Sequence, residues 1–341
     1  MYLKLLFALI YNFVNADSEC PTVSSFNDRR NDTKTLRFVQ YNVEWLFIDY
    51  YEPSDCPGNG CTWANKSEAE IHMNDVSEVI QKLNPDIINF CEIEGCDELN
   101  IIKDKLNDNS YIPYLKQGTD TSTGQNVGML SRIDPLIDLY RTEERYNYPI
   151  LGSQCGYTGT PGTSGVSKHY ITEFILNGFN IAFISAHLLA IPTDPKRCAE
   201  REAQASVLQN VIYNYINKDY EIFVFGDFND FDEKVLDINN NIPTSKVLDI
   251  LKGYEGEFKN RYTLYNLAEK MPQTERYSDW WDSDNNCNTY TQDDFSMIDH
   301  ILVSNNLREK VNNIFIYHNY DEYCGKYDSD HYPVVIDFDF N

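Results

Sequence analysis

Gly226-Asp227-Phe228-Asn229-Asp230 directly follows the apolar run Ile222–Phe225, and Ser329-Asp330-His331-Tyr332-Pro333-Val334 leads into the apolar run Val334–Ile336. Each run reads as a short buried strand, so each polar cluster stands at a strand end. Strand ends are where α/β sheets place chemistry. Carboxylates, an amide and an imidazole on such ends are the parts needed to hold a hard cation and to move protons at a phosphate. More clusters of this kind occur along the chain. Asn42 lies in Gln-Tyr-Asn-Val-Glu, within the strand run Leu36–Phe47. Glu92 ends the run Asp86–Glu92, His187 follows Ile181–Ile184, and Asp299-His300 opens onto Ile301–Val303. Taken singly, each has an ordinary explanation: a capping acid, a turn asparagine, a hydrogen-bonded core histidine. As a set they resist explanation by packing, because unpaired buried acids are costly.

Working outward, the remaining elements fall into place around these ends. Glu68–Leu83 has helical spacing, with Ile71, Val76, Val79, Ile80 and Leu83 on its apolar side, and Asn84-Pro85 stops it. Val127–Leu130 and Leu136–Tyr140 read as strands, separated by a turn at Asp134-Pro135. Gly152–Lys168 reads as a long loop. His169–Leu176 and Phe179–Ser185 read as a hairpin, because Asn177-Gly178 is a strong two-residue turn signal. Ala199–Ile216 is an amphipathic helix, and further strands are expected at Glu221–Phe225, Met297–Val303, Val311–Tyr317 and Tyr332–Phe338. Residues 233–291, with the polar segment Asp279-Trp280-Trp281-Asp282, read as an insertion. Hairpins mixed with helical crossovers favour an α/β fold of two sheets packed face to face with helices outside. One domain over residues 17–341 is the simplest division.

The bulk properties restrict the setting. The chain has 341 residues and a net charge of -25, which argues against binding polyanions or anionic membranes through its whole surface. An anionic substrate must be attracted locally. Residues 1–16 read as a signal peptide: a short start with Lys4, the apolar stretch Leu5–Val14, then Val14-Asn15-Ala16 for cleavage. No later run approaches membrane-spanning length, so a secreted protein is expected. Nine cysteines suit an oxidising compartment. Cys91 lies within a strand and is expected to stay free. At least three disulfides are expected among the others, and Cys56 and Cys61 flank a turn that would close a small loop. No Cys/His cluster with zinc spacing is present. Asn31-Asp32-Thr33 and Asn65-Lys66-Ser67 are glycosylation sequons.

Read in order, Tyr41-Asn42-Val43, Pro85-Asp86-Ile87-Ile88-Asn89-Phe90-Cys91-Glu92, Gly128-Met129-Leu130-Ser131-Arg132, Ser185-Ala186-His187-Leu188, Gly226–Asp230, Ile298-Asp299-His300-Ile301-Leu302-Val303 and Ser329–Val334 form a set. This ordered set resembles the endonuclease/exonuclease/phosphatase family, whose archetype is pancreatic-type deoxyribonuclease. The resemblance spans Leu36 to Phe338 and implies a four-layer α/β sandwich of two mixed, mainly antiparallel sheets. It implies that Glu92 and Asn42 bind metal and that Asp330 is a further metal contact. Asp227 and Asn229 then orient or deprotonate water, His187 and His331 are the catalytic histidines, and Asp299 orients His331. It points to Mg²⁺, with Mn²⁺ or Ca²⁺ as alternatives. Arg132, Lys168 and His169 are expected at the substrate. Departures from the pancreatic type are Cys91 in place of Gln, Glu94 in place of Arg, and Gln125 where a Glu would pair with His187. They count against pancreatic-type duplex recognition but not against hydrolysis, and the stretch from His187 to Ala205 is more similar to secreted microbial members.

Three functions are compatible with these residues. A secreted, metal-dependent nuclease acting on DNA or RNA as a monomer without a protein partner is the leading expectation. A phosphate-ester hydrolase for lipid or small substrates, sphingomyelinase-like, is the alternative, with Trp280-Trp281 as an exposed wedge. The inositol phosphatase signature is missing, since Phe225 and Asp299-His300 stand where Trp and Asp-Arg are required. A non-catalytic module is disfavoured by the full set of acids and histidines.

Overall fold

The computed structural model describes residues 20–48, 63, 65–280, 295–319 and 329–341. Residues 1–16, expected to be a signal peptide, and Cys56, Cys61, Trp281, Cys287 and Cys324 lie outside the described residues.

Two large sheets carry the molecule. The first has six strands in the order β14-β15-β1-β2-β4-β3. These are β1 (Thr35–Leu46), β2 (Ile87–Ile93), β3 (Ile112–Leu115), β4 (Asn126–Ser131), β14 (Val311–Ile316) and β15 (Val334–Asp339). The second has five strands in the order β10-β13-β9-β8-β7. These are β7 (Lys168–Leu176), β8 (Phe179–His187), β9 (Glu221–Asp227), β10 (Tyr265–Asn266) and β13 (Asp299–Val303). Two small ribbons complete the strands: β5 (Tyr146–Tyr148) with β6 (Gly162–Ser164), and β11 (Asp279–Trp280) with β12 (Phe295–Ser296). Both large sheets are mixed. β1 pairs parallel with β2 but antiparallel with β15, and β8 pairs parallel with β9 but antiparallel with β7.

The alternation of β1 explains the layering. Phe38, Gln40 and Asn42 face the second sheet, while Val39, Tyr41 and Val43 pack under α1 (Lys66–Leu83) and α2 (Cys96–Leu106). Between the sheets, Phe38 meets Phe223 and Phe225, each at 4.7 Å between ring centroids. The outer face of the second sheet is covered by α3 (Pro195–Ile216) and α4 (Val247–Leu251). The result is helix, sheet, sheet, helix. A short α5 (Asn305–Lys310) links β13 to β14.

Local signals set the element ends. The side chain of Asn65 accepts from the Glu68 amide and donates to Glu68 Oε1, a reciprocal cap on α1 worth about 1 kcal/mol. Asn84 closes the same helix at φ 49°, left-handed, ahead of Pro85. Ile71 is exposed rather than on the buried side of α1, where His72 and Met73 stand instead. The hairpin turn is confirmed, with positive φ at both Asn177 and Gly178.

Leu136–Tyr140 is not a strand. It touches the edge strand β7 through Leu136 and Tyr140, which bond to Glu173 and Ile171, and Ile137–Leu139 run outside the ladder. With backbone bonds to β7 at its two ends alone, the segment forms no continuous ladder. Residues 233–280 are not an excursion from the sheets. They supply the edge strand β10 and, at Ser278-Asp279, two groups that meet Asp299 and His331. Trp280 is buried, not an exposed wedge, because its strand β11 pairs with β12 while its amide bonds to the carbonyl of Asp330.

Two disulfides join described residues, Cys20–Cys96 and Cys155–Cys198, and Cys91 is free and buried. Among the described residues, no helix is long and apolar enough to cross a membrane.

Candidate active site

The C-terminal ends of β1, β2, β8 and β9 and the N-terminal ends of β13 and β15 come together at one end of the sandwich. β1 and β2 break register there, between Asn42 and Leu46 and between Cys91 and Ile93. Glu44, Trp45 and Glu92 take positive φ at these breaks, at 41°, 51° and 67°. Non-glycine residues seldom adopt that conformation, so strain is concentrated where side chains are re-aimed. Its effect is visible at Glu92, whose Oε2 accepts from the Trp45 amide at 3.2 Å.

Asn42 is the hub. Its Nδ2 lies 3.3 Å from Glu92 Oε1, 3.1 Å from Asp227 Oδ2 and 3.4 Å from His331 Nε2. His187 Nε2 approaches Asp227 Oδ2 at 3.4 Å and Glu92 Oε1 at 3.8 Å. His331 Nδ1 is bonded to Asp299 Oδ2 at 2.7 Å. Its other nitrogen faces Asp279 Oδ1 at 3.6 Å, Asp330 Oδ1 at 3.9 Å and Asp227 Oδ2 at 4.0 Å. One backbone contact makes this packing possible. Gly226 sits so close to β8 that a Cβ would stand 1.9 Å from the Ala186 carbonyl oxygen. Only glycine lets Asp227 and His187 share the same space.

Asn229 lies beyond the end of β9, at φ 49°. Its amide donates to Asp227 Oδ1 at 2.8 Å and its Nδ2 to the Leu188 carbonyl at 3.3 Å, which ties the loop after His187 to the loop after Asp227.

The electrostatics follow from burial among like charges. Burial and the neighbouring Asp299 push Asp227 up to about 8, although His331 pulls the other way. Burial raises Asp279 to about 6. Asp330 also lies well above the usual range, through enclosure of its carboxyl end and the nearby Glu44. Burial and the Lys168 cation hold His187 well below the ordinary histidine value. Burial alone would depress His331 too, but Asp299, Asp330 and Asp279 outweigh it and hold it well above.

Lys168 stands directly across from His187 in the β7–β8 ladder. Its ammonium donates to Gln125 Oε1 at 3.0 Å and lies 3.8 Å from Asp120. Two expected substrate residues are elsewhere. His169, the next residue on β7, points to the opposite face, where it is fully buried and its Nε2 accepts from the Thr142 amide. Arg132 follows the far end of β4, bonds to Asp108, Asn84 and Ser110, and lies over the Tyr111 ring. Both are structural, because the strand places one on the wrong face and the other at the wrong end.

Sequence reading missed Asp279, Ser278 and Glu44. Ser278 Oγ donates to Asp299 Oδ2 at 2.9 Å, and Glu44 Oε2 accepts from the Asp330 amide. Glu44 was visible in Tyr-Asn-Val-Glu. Nothing in the spacing marks Asp279, which reaches the site only through an isolated bridge to His331.

Asp279, Asp330 and His331 offer ligand atoms within 4.8 Å of one another. With Glu92 and Glu44 beside them, the donors are mainly carboxylate oxygens, a set that suits a hard divalent cation.

The family model for the endonuclease/exonuclease/phosphatase family matches residues 39–331. The chain belongs to this family. No curated protein sequence matches it. Among solved structures, it is similar to D. rerio TDP2 complexed with single-strand DNA product, at 16% identity and a TM-score of 0.52, covering 89% of this chain and 98% of that one. It is also similar to the Bacteroides thetaiotaomicron mannosyl-6-phosphatase Bt3783, at 17% identity and a TM-score of 0.50, covering 88% and 98%. An endonuclease/exonuclease/phosphatase protein from Bacteroides vulgatus aligns at 16% identity and a TM-score of 0.53, covering 90% and 99%. At these identities the likeness establishes the fold of this family member, a DNase I-like α/β sandwich. Family and site together make it a phosphate-ester hydrolase.

Proposed function

We propose that the protein is a secreted, divalent-metal-dependent phosphodiesterase that cleaves DNA or RNA by in-line attack of water, with Mg²⁺ as the expected ion. The observation that carries this reading is the convergence of Asn42, His187, Asp227 and His331, with Glu92 and Asp330 alongside. Glu92, Asn42 and Asp330 are the residues assigned to hold the cation, Asn42 through Oδ1, which here accepts from the Glu44 amide while Nδ2 faces Glu92. When bound, it would withdraw charge from the phosphate oxygens.

The protein's own groups account for the proton traffic. Asp227, in contact with Asn42 and His187, is the carboxylate placed to take a proton from the attacking water. Asn229 holds that carboxylate through its backbone amide. His331, cationic beside Asp299, donates from Nε2 to a phosphate oxygen. His187, kept neutral by burial, offers Nε2 next to Asp227. Lys168 supports the approach of an anion from the β7 side. Two disulfides among the described residues support an oxidising compartment.

The alternative, a lipid or small phosphate ester, draws support from the acidity of the site and from the phosphatase among the structural relatives. Trp280 is buried and adds nothing to its membrane-wedge argument, and Trp281 lies outside the described residues. A panel of single-stranded DNA, plasmid, RNA, sphingomyelin and sugar phosphates, with Mg²⁺ and with chelator, decides between them. Chelator-sensitive cleavage of a nucleic acid is the expected result. Turnover restricted to the non-nucleotide esters would overturn the nuclease reading, and undiminished turnover in chelator would overturn the metal.

A further inference from the structure

A line of buried polar side chains crosses the otherwise apolar space between the sheets. Tyr170 on β7 and Ser185 on β8 both donate to Asn89 Oδ1 on β2, at 2.8 and 2.9 Å. Asn89 Nδ2 donates to Gln40 Oε1 on β1 at 2.6 Å. Gln40 Nε2 donates to Asp299 Oδ1 at 3.1 Å and lies 3.4 Å from Cys91 Sγ. Tyr170, Ser185, Asn89 and Gln40 have no exposed surface, and Asp299 has almost none. Five polar groups in such a place are expensive unless every one is satisfied. They are satisfied in one direction, since each hydrogen in the line points toward Asp299.

The line ends at a carboxylate with little freedom left. Asp299 Oδ1 receives Gln40, and Oδ2 receives Ser278 Oγ and His331 Nδ1. The bond from Gln40 fixes the edge of the carboxylate that faces away from the imidazole. The plane of the carboxylate then fixes which way the ring turns its Nε2. Packing alone does not call for this arrangement: an apolar layer needs the whole line replaced together, since Leu at positions 40 and 89 alone would leave Tyr170, Ser185 and Asp299 Oδ1 buried without these partners.

We infer that Gln40 is a positioning residue of this enzyme: through Asp299 it sets the orientation of the His331 ring, and Asn89, Tyr170 and Ser185 set the orientation of Gln40. The inference rests on the hydrolase reading above, but the Asp299–His331 geometry can be read without turnover. Gln40→Met keeps the volume and removes the donor. Its kcat on bis(4-nitrophenyl) phosphate in Mg²⁺ should fall about 10- to 100-fold, the range seen when a group that orients a working histidine is lost, while KM is unchanged. In the proton NMR spectrum the downfield Nδ1–H resonance of His331 should move or broaden.

Ile80→Ala, a core variant in α1 far from the site, is the control for lost stability and should retain both kcat and the resonance. If Gln40→Met does not fold, Ser185→Ala removes one donor into Asn89 and should displace the resonance in the same direction by less. In the wild-type protein the Gln40 Nε2 protons should resist exchange with solvent. A folded Gln40→Met with wild-type kcat and an unmoved resonance overturns the proposal, as do fast-exchanging Gln40 amide protons. A protein with no hydrolase activity but a resonance that responds to Gln40→Met would sink the functional reading and leave this inference standing.

Discussion

His187 and His331 are the same side chain under opposite constraints. His331 has Asp299 on Nδ1 and three further carboxylates around Nε2, and the cation is favoured. His187 has no hydrogen-bond partner at Nδ1 among the described residues and has Lys168 across the ladder, so the neutral ring is favoured. The sequence suggested Gln125 as its neighbour, but Gln125 is engaged by Lys168. After burial, the Lys168 cation is the charge that depresses His187 most, although Asp227 and Glu92 lie 3.4 and 3.8 Å from its Nε2. Replacing either histidine by Ala should cost about 10²–10⁴-fold in kcat, the range for proton-transfer groups. The pH dependence can be assigned by sign. If neutral His187 is required, the acidic limb of the pH–rate profile belongs to it and lies below the usual histidine range. Lys168→Met removes a cation, raises the His187 pKa, and should move that limb to higher pH. A pH–rate curve that stays in place in Lys168→Met would sink this pairing.

Among the elements, α3 does more than cover a sheet. Arg201, fully buried, pairs with Asp230 at 3.2 Å and donates to the carbonyls of Leu189, Ile191 and Pro192. It thus binds the loop after His187 to the loop after Asp227. Arg201→Leu should destabilise by about 3–5 kcal/mol in urea unfolding, because Asp230 is left buried without its cation. Arg201→Leu with Asp230→Leu should recover part of that loss, and a double variant no more stable than the single one would contradict the argument. The sequence made α3 legible only on one side. Ala203, Val207, Leu208 and Tyr215 carry its apolar period, whereas Arg201, Glu202, Gln204 and Gln209 are buried too and carry no periodic signal. The same distinction holds across the fold. Ile222–Phe225 and the Asn177-Gly178 hairpin announce themselves through local chemistry. Leu136–Tyr140 has the composition of a strand, but pairing is decided by partners distant in sequence. The pairing of Asp299 with His331 was legible, and Asp227 and His187 were each legible as site residues, because each sits in a strand-end motif. Asp279 and Gln40 were not, because no apolar strand run marks the segment of Asp279 and Gln40 lies inside β1 rather than at its end.

For the whole molecule the governing quantity is charge. The chain carries -25, and Glu44, Glu92, Asp227, Asp279, Asp299 and Asp330 converge where an anionic substrate must arrive. Without a cation these carboxylates repel one another, and burial adds to the penalty. Asp227 at about 8 and Asp279 at about 6 both have raised values, as has Asp330. A carboxyl whose folded pKa is raised contributes stability when protonated and loses it as pH climbs through that value. His331, also raised, has the same sign. The buried neutral histidines oppose this only below the unfolded histidine value, where His187 and His169, the latter at about 4, resist protonation. In chelator, Tm should therefore fall as pH rises from about 6.5, the unfolded histidine value, through about 8. A bound divalent cation offsets the same repulsion, so the Tm gained on adding Mg²⁺ should be larger at the alkaline end of that window than at its start. Thermal unfolding in chelator and in Mg²⁺ across the window tests this. A Mg²⁺ shift that shrinks with rising pH, or that survives intact in a Glu92→Gln, Asp330→Asn double variant, would show that the cation binds somewhere other than this carboxylate cluster.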